Sequence, residues 1–213
     1  GDGDTVYVYN GLYCEDLKIY KSITLTGEDK EFTIINGTGQ NDVIFVSAIG
    51  VSISGFTIQN GGINKGVFLY ESENVDLNDN IVQDNWIGIK LSYSRYNTIQ
   101  NNMVLNNTIM GILLTRRSHQ NQILNNDFIC SIPILYINAY FRNSFFNKWD
   151  GNYWDDWIGL KINRLSWKPK RISGKLFDFW PDTNPALLEE IYHSRLTLLA
   201  NYDRNPASEP NFA

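Results

Sequence analysis

The chain is poor in the residues that form disulfides and soft metal sites. Its 213 residues include two cysteines, two methionines and two histidines. Secreted folds that depend on disulfides carry more cysteines than this, and a copper site requires several imidazole or sulfur ligands in one place. The composition therefore favours neither a disulfide framework nor a metal site, and we predict no cofactor.

Charge and long apolar runs are also scarce. Charged residues make up 19% of the chain, and the formal net charge is -5. The charged share is below the usual quarter, and a negative balance favours neither nucleic acid nor an anionic membrane as the main partner. No apolar run approaches the roughly 18 residues that a membrane-spanning helix needs, so we predict no transmembrane segment.

The chain has instead a repeat of 22 to 24 residues between residues 51 and 147. The segments "KGVFLYESEN", "IGIKLSYSRYN" and "MGILLTRRSHQN" align on one glycine each. Four series follow this spacing: Gly66, Gly88, Gly111 and then Pro133; Ile53, Leu77, Ile99, Ile123 and Phe145; Asn80, Asn102 and Asn126; Asn74, Asn97, Asn121 and Asn143.

The repeat predicts a solenoid made of β-strands. Apolar and polar residues alternate within each period, as in half-buried strands, and the leucine-rich framework of other repeats of this length is missing. We therefore predict an all-β parallel β-helix in which each period is one coil. The Asn series are expected at the turns, where a stacked amide can bond its own coil and the next and where Asn tolerates a left-handed backbone.

Three segments carry a resemblance to a known family. The segments "GDTVYVYNGLYCEDLKIYKSITLTGEDK", "ISGFTIQN" and "GNYWDDWIG" resemble the NosD-like right-handed parallel β-helix family, which shares its fold with pectin lyases. The family is frequent among archaeal and bacterial secreted and cell-surface proteins, and its repeats are also known as carbohydrate-binding and sugar-hydrolase repeats. The resemblance implies the fold and an extracellular or cell-surface location. The name of the family comes from a copper-related protein.

The chain departs from the family after the Gly-Asn-Tyr-Trp motif. Relatives often continue with an acidic, glycine-rich loop, whereas residues 157–177 contain six basic residues and no acidic one. This departure argues against a calcium loop at that position.

The segment "NKWDGNYWDDWIG" ends the repeats and predicts a cap. An open solenoid exposes its last coil to water, and terminal caps prevent end-to-end pairing. We expect the cap to consist of large aromatic side chains: Trp149, Tyr153, Trp154 and Trp157. The alternative is that these rings form an exposed platform for sugars. The expected organisation is a β-helix over residues 1–154 and a cap with a C-terminal extension over residues 155–213.

The extension contains one helical pattern, at about residues 185–200. Pro185 fits the first turn, acidic residues follow near the positive end, and leucines and isoleucines give the helix an apolar face. We expect this helix to pack on the flank of the β-helix or on another subunit, with a membrane surface as a further alternative. The last nine residues are expected to be loose.

Polar and aromatic residues converge at one turn if equivalent positions stack. Counted from the repeat glycine, the fifth, seventh and eighth residues of successive coils predict one surface for binding glycans: Tyr93, Arg95, Tyr96, Arg116, Arg117, His119 and Tyr140. Aromatic rings stack on sugars, and arginine binds carboxylates or hydroxyls. No close carboxylate pair lies there for glycosidase chemistry, and we predict neither catalytic residues nor a metal site.

The sequence leaves three functions open. The first is a non-catalytic secreted or surface module that binds a polysaccharide or takes part in extracellular assembly. The second is a polysaccharide lyase or glycoside hydrolase, with Tyr, His or Lys as base. The third is a metal-handling accessory protein, as the family resemblance implies. Asn36 and Asn106 lie in N-glycosylation sequons, and their modification is left open.

Overall fold

The computed structural model describes residues 1–129 and 137–155, together with 170–171, 173–175, 202–203, 207 and 210–211. These residues form a parallel β-helix of about six turns. The first three coils contain nine strands: β1 (Asp4–Val8), β2 (Gly11–Tyr13), β3 (Leu17–Ile19), β4 (Ile23–Gly27), β5 (Thr33–Asn36), β6 (Ile44–Val46), β7 (Ser52–Ser54), β8 (Thr57–Gln59) and β9 (Lys65–Tyr70).

The next three coils have the same three-strand pattern. Their strands are: β10 (Asp76–Asn78), β11 (Ile81–Gln83), β12 (Ile87–Ser92), β13 (Thr98–Gln100), β14 (Met103–Leu105), β15 (Met110–Thr115), β16 (Gln122–Leu124), β17 (Asp127–Ile129) and β18 (Ile137–Arg142). The remaining strands end the solenoid: β19 (Lys148–Asp150), β20 (Tyr153–Trp154), β21 (Lys170–Arg171), β22 (Ser173–Lys175) and β23 (Tyr202–Asp203).

Three sheets run along the solenoid because each strand pairs with the strand three positions earlier in the chain, which is the equivalent strand of the preceding coil. Sheet A has the order β1-β4-β7-β10-β13-β16-β19-β23-β21, sheet B the order β2-β5-β8-β11-β14-β17-β20, and sheet C the order β22-β18-β15-β12-β9-β6-β3. All pairs are parallel except β21 with β23. The predicted all-β parallel β-helix is therefore confirmed.

The core consists of aliphatic columns that the strand register brings into line. In sheet A, Ile53, Leu77, Ile99 and Ile123 are successive partners, and each is 0% exposed. Most three-residue strands of sheets A and B place their middle residue inside and their flanking residues outside, as in β10 and β13. The alternation seen in the sequence is thus the alternation of the pleat.

The repeat glycine is required by the close approach of neighbouring coils in sheet C. A Cβ atom on Gly88 would lie 2.6 Å from the backbone oxygen of Gly111 and 2.8 Å from the Cγ1 atom of Val104. Any larger residue at this position would therefore push β12 away from β15 or displace the buried valine.

Buried asparagines join the coils at the corners, as the sequence predicted. At the corner between sheets A and B, the Oδ1 atom of Asn102 accepts the backbone N–H of Asn80 at 3.0 Å, and Asn126 accepts that of Asn102 at 3.0 Å. Asn152 continues this ladder by accepting the N–H of Asn126 at 3.0 Å. All four side chains are 0% exposed, so each amide replaces water for backbone groups that the turn leaves unpaired.

Further ladders lie at the other corners. Asn97, Asn121 and Asn147 form one between sheets C and A. Asn85 and Asn107 form another between sheets B and C. Four serines continue the pattern at the first of these corners: Ser72, Ser94, Ser118 and Ser144. The second Asn series was therefore right at its centre and wrong at its ends, where Asn74 and Asn143 lie outside the ladder.

The coil that follows β17 is longer than the repeat predicts. The register pairs Met110 with Ile137 and Ile112 with Ala139, so Asn138, and not Pro133, lies opposite Gly111. The predicted extension of the Ile53 series to Phe145 was wrong as well, because Ile123 pairs with Trp149. The cause is a longer loop before β18, which together with an additional residue near Arg117 places Asn138 five positions after the predicted Pro133. The spacing of residue types could not reveal this change in loop length.

Two of the predicted cap residues are core residues of the last described coil. Trp149 is 1% and Trp154 is 0% exposed, and the ring of Trp154 stacks on Phe128 at 4.5 Å between centroids and 11° between planes. Such burial is incompatible with the alternative of a sugar platform at these two rings. Tyr153 is half-buried in β20, and Trp157 lies outside the described residues.

Part of the C-terminal extension returns to the last coils. Ala207 forms a parallel bridge with Tyr153, and the backbone N–H and side-chain amide of Asn211 both donate to the Oδ1 atom of Asp127 at 2.8 Å. The expectation that the last residues are loose was therefore wrong at Asn211. The predicted helix at residues 185–200 lies outside the described residues.

Candidate functional site

The outer face of sheet C carries a central column of large side chains. The register of the strands makes six residues successive neighbours: Lys18, Phe45, Phe68, Lys90, Leu113 and Tyr140. They point outward because their neighbours along each strand, such as Val67 and Leu69, are 0% exposed. Successive members are separated by one strand spacing, about 4.8 Å.

Aromatic rings extend this column into a continuous row. The aromatic row consists of Tyr20, Phe45, Phe68, Tyr70 and Tyr93. Ring centroids are 6.0 Å apart for Tyr20 and Phe45 and 5.5 Å apart for Phe45 and Phe68. Tyr70 lies 5.9 Å from Phe68 and 6.1 Å from Tyr93. Tyr20 and Tyr93 are exposed at the two ends, at 63% and 45%, while the middle rings are half-buried.

Cations lie directly on this row. The Nζ atom of Lys90 is 5.0 Å and that of Lys65 is 5.2 Å from the ring centroid of Phe68. The guanidinium of Arg116 is 5.7 Å from the ring centroid of Tyr93. Lys65 is paired with Asp42 at 3.0 Å, whereas within the described part of the chain neither Lys90 nor Arg116 forms an ion pair with a carboxylate.

The environment of Lys90 disfavours its charge. Burial lowers the pKa of the ammonium, the neighbouring cations Lys65 and Arg116 lower it further, and the carboxylate of Asp42 opposes them without reversing the shift. A half-buried cation that forms no ion pair is costly in the free protein. Such an arrangement favours the binding of an anion.

A shallow groove of about 270 Å³ opens on the same face at the first three coils. It is lined by one aromatic pair, three amides and two charged side chains: Tyr20, Phe45, Gln40, Asn41, Asn64, Lys18 and Asp42. Of the cations near it, Lys65 is bonded to Asp42 at 3.0 Å. Asp16 lies near Lys18, and its desolvation is outweighed by hydrogen bonds from Thr38 and Asn41 and by the charge of Lys18, so that the pKa of the Asp16 carboxyl is lowered.

The seven residues predicted to bind a glycan do not form one surface. Six lie at the corner between sheets C and A, but Tyr140 lies in β18 opposite Leu113. The predicted columns were also displaced, because Glu73 and Arg95 are neighbours as expected whereas Ser118 stacks with Ser94 and Ser144. The additional residue in the turn that contains Arg116 and Arg117 causes this displacement.

The corner residues divide into separate groups. Tyr93 and Arg116 adjoin the aromatic row through Tyr70. Arg95 instead pairs with Glu73 at 2.7 Å and lies 5.7 Å from the ring of Tyr96. Arg117 is exposed and has a left-handed backbone with φ 64°. These placements connect only Tyr93 and Arg116 of this corner to the outer face of sheet C.

The side chain of His119 stabilises the fold through its contacts with Phe145. Its Nδ1 atom accepts the backbone N–H of Phe145 at 2.7 Å, and its ring stacks on Phe145 at 5.3 Å. An accepting Nδ1 requires that this nitrogen carry no proton, so the imidazole is neutral with its proton on Nε2. Burial lowers the pKa of His119, and the charge of Arg117 lowers it further.

We expect His119 to make the protein less stable in acid. Because its pKa in the folded state lies below the ordinary value of 6.5, the unfolded chain takes up a proton first as the pH falls. Stability should therefore fall from about pH 6.5 downward until the folded-state pKa is passed. His119→Asn keeps an acceptor without the titration, so its melting temperature should fall less between about pH 7 and pH 5. Identical acid losses in the two proteins would contradict this role.

Residues 2–135 match the family described as "Periplasmic copper-binding protein (NosD)". The chain belongs to the NosD family. No curated protein sequence matches it significantly. The predicted resemblance is therefore confirmed at the level of family and fold.

Solved structures with the same fold include enzymes and a viral protein. An alginate lyase from Paenibacillus sp. str. FPU-7 is 15% identical with a TM-score of 0.53, and the match covers 71% of this chain and 67% of the lyase. ORF18 of Geobacillus virus E2 is 18% identical with a TM-score of 0.52, over 72% of this chain and 44% of the viral protein. A pectin methylesterase from Yersinia enterocolitica is 13% identical with a TM-score of 0.49, over 73% and 77%. At these identities the likenesses to the lyase and to the viral protein show the fold alone, and nothing is based on the likeness to the esterase.

The copper in the description of the NosD family finds no matching ligand set in the described residues. They contain no group of three or more His, Cys, Asp or Glu side chains that could hold a metal ion. His119 has its Nδ1 atom engaged by Phe145, and Cys14 is an exposed free thiol in the first coil. These donors do not fit a copper site, and no step through copper is derived.

Sequence analysis missed most of the outer face of sheet C. Phe68, Lys90 and Leu113 each stand two residues after a repeat glycine. Their neighbours on both sides belong to the apolar columns, so the period-2 alternation alone places them outside. The residues predicted to bind a glycan lie at and beyond the fifth residue after the glycine, which is at the turn and not on the flat face.

Proposed function

We propose that the chain is a non-catalytic glycan-binding module and that its site is the outer face of sheet C. The observation that carries this proposal is Lys90, a half-buried ammonium over the ring of Phe68 that has no carboxylate partner among the described residues. A ligand with an acidic group would supply the missing counter-charge. Arg116 over Tyr93 offers a second cation beside it.

The aromatic row supports a sugar ligand rather than a small anion. Sugar rings present flat C–H faces that pack on aromatic side chains, and Tyr20 and Tyr93 expose theirs. The rings are spaced at 5.5 to 6.1 Å along most of the row. The strand spacing of about 4.8 Å is close to the length of one sugar residue in an extended chain, so a glycan running along the solenoid would meet one coil per residue.

The cellular location of the protein is also part of the proposal and is argued from the family. The family description names a periplasmic protein, and we propose a periplasmic or extracellular place of action, where polysaccharides are present. Among the residues that the structure describes, no helix has the length and apolarity to cross a bilayer.

Lys90→Met tests the proposed site. The methionine keeps an apolar chain over Phe68 and removes the charge. Because a hydrogen bond to a charged group contributes about 1.5 to 3 kcal/mol, affinity for an oligouronate should fall about tenfold to a hundredfold. The same change should raise the melting temperature, since it removes a desolvated cation from the free protein. Isothermal titration calorimetry and thermal unfolding measure the two effects.

Lys148→Met is the matched control. Lys148 lies on the outer face of sheet A, is 58% exposed and is 3.6 Å from Asp150, so its replacement should leave the affinity unchanged. Equal losses in both variants would indicate non-specific charge attraction and would contradict the proposal. Turnover of a polysaccharide that disappears in Lys90→Met while the fold is retained would instead establish an enzyme.

A further inference from the structure

The outer face of sheet C is divided into an electrically balanced part and a positive part. At the first three coils, Lys65 is paired with Asp42, and Lys18 acts on the carboxyl of Asp16. At the fourth and fifth coils, Lys90 and Arg116 lie on aromatic rings and form no ion pair within the described residues. The carboxylates near them are Asp42, which acts on Lys90 from the second coil, and Glu71, which acts on Tyr70 beside Arg116. The change occurs along the direction in which the coils stack.

The balanced part has the features of a site for an uncharged sugar. Tyr20 is 63% exposed at the edge of the groove, and its ring lies 6.0 Å from that of Phe45. Gln40, Asn41 and Asn64 line the same groove with amides. Amides bond hydroxyl or acetamido groups through both donor and acceptor atoms, whereas the carboxylate of Asp42 in this groove opposes a second acid.

The two parts are separated by a definite distance. Phe45 and Lys90 belong to the central column and have Phe68 between them, so they are two coils apart, about 10 Å at about 4.8 Å per coil. A glycan that passes one residue per coil would place an uncharged residue at Phe45 and an acidic group two residues further on.

We infer that the ligand is a mixed-charge glycan, with an uncharged sugar in the groove at Tyr20 and Phe45 and an acidic sugar at Lys90 and Arg116. This inference rests on the proposed function and specifies its substrate class. A polymer of uronates alone would place a carboxylate beside Asp42, and a neutral polymer would leave Lys90 without a counter-charge. Neither homopolymer matches both parts of the surface.

Three hexasaccharides of similar length test the inference by calorimetry at one salt concentration. The probes are a chitin hexasaccharide, which is neutral, a galacturonate hexasaccharide, which is acidic throughout, and a deacylated gellan hexasaccharide, in which successive glucuronates are separated by three uncharged sugars. The third probe, called the mixed probe, can place an uncharged sugar two residues before a glucuronate. We expect the mixed probe to bind at least about tenfold tighter than either homopolymer, because a single satisfied charge contact is worth that factor.

Two variants test which part of the surface binds the uncharged sugar and which binds the acidic sugar. Tyr20→Ala should weaken binding of the mixed probe more than that of the galacturonate probe, and Lys90→Met should weaken binding of both acidic probes and leave that of the neutral one unchanged. Tyr9→Ala is the control for Tyr20, since Tyr9 is 69% exposed and lies outside the aromatic row. Binding of the galacturonate probe as tight as that of the mixed probe would overturn the inference and leave the proposed function in place. Binding of none of the three would count against the proposed function itself.

Discussion

Replacing Asn102 by alanine is expected to lower the free energy of unfolding by about 3 to 5 kcal/mol, because it leaves several buried backbone groups without partners. The side chain donates to the carbonyl oxygens of Leu77 and Gln100 at 2.8 Å each. Its Oδ1 atom accepts the backbone N–H of Asn80 at 3.0 Å. All of these contacts lie at the buried corner between sheets A and B in the middle coils. Water cannot enter there to replace the lost amide unless the corner opens.

Chemical denaturation followed by circular dichroism and by tryptophan fluorescence measures the loss of stability. The two signals are needed because a solenoid stabilised by contacts between neighbouring coils can unfold in steps. Gln122→Ala is the control: Gln122 is exposed in β16, and its loss should change stability by less than about 0.5 kcal/mol. A loss below about 1 kcal/mol for Asn102→Ala would mean that the ladder contributes little beyond ordinary surface contacts.

Trp154→Ala is expected to cost about 3 to 5 kcal/mol, as truncations of large core residues do. Trp154 is 0% exposed, stacks on Phe128 at 4.5 Å and lies 6.0 Å from Trp149 between ring centroids. The cavity left behind would lie in the last described coil, where fewer neighbouring coils can collapse into it. Glycan affinity at the outer face of sheet C should not change in the molecules that remain folded.

Trp86→Ala provides the comparison for this variant. Trp86 is 39% exposed at the corner before β12, so its removal exposes less core and should cost clearly less than the removal of Trp154. Melting temperatures of the two variants decide the point. Equal melting temperatures would show that Trp154 does not stabilise the end of the solenoid, and the predicted capping role of this segment would then be wrong.

The regular part of the fold was predictable because strand periodicity and coil length are both local properties of the chain. The spacings of 22 and 24 residues that separate Asn80, Asn102 and Asn126 match the hydrogen-bonded ladder of the structure. The predicted columns were wrong where a loop changed length. The additional residue near Arg117 displaced the columns of that turn, and the longer loop before β18 displaced the columns that follow it. The spacing of residue types contains no information about which loop absorbs an insertion.

The candidate site likewise combines features that the sequence predicts with features that only the structure shows. Alternation after each repeat glycine determines that Phe68 and Lys90 point outward, so the composition of the outer face was present in the sequence. Lys65 is bonded to Asp42, whereas Lys90 forms no ion pair in the described residues. This difference depends on contacts between residues more than twenty positions apart in the chain. The sequence by itself determined the coils, the apolar columns and the Asn turns, since these follow from period and residue type. Only the tertiary structure decided which cations are neutralised and which rings lie together, because charge pairing and ring contact depend on register between coils.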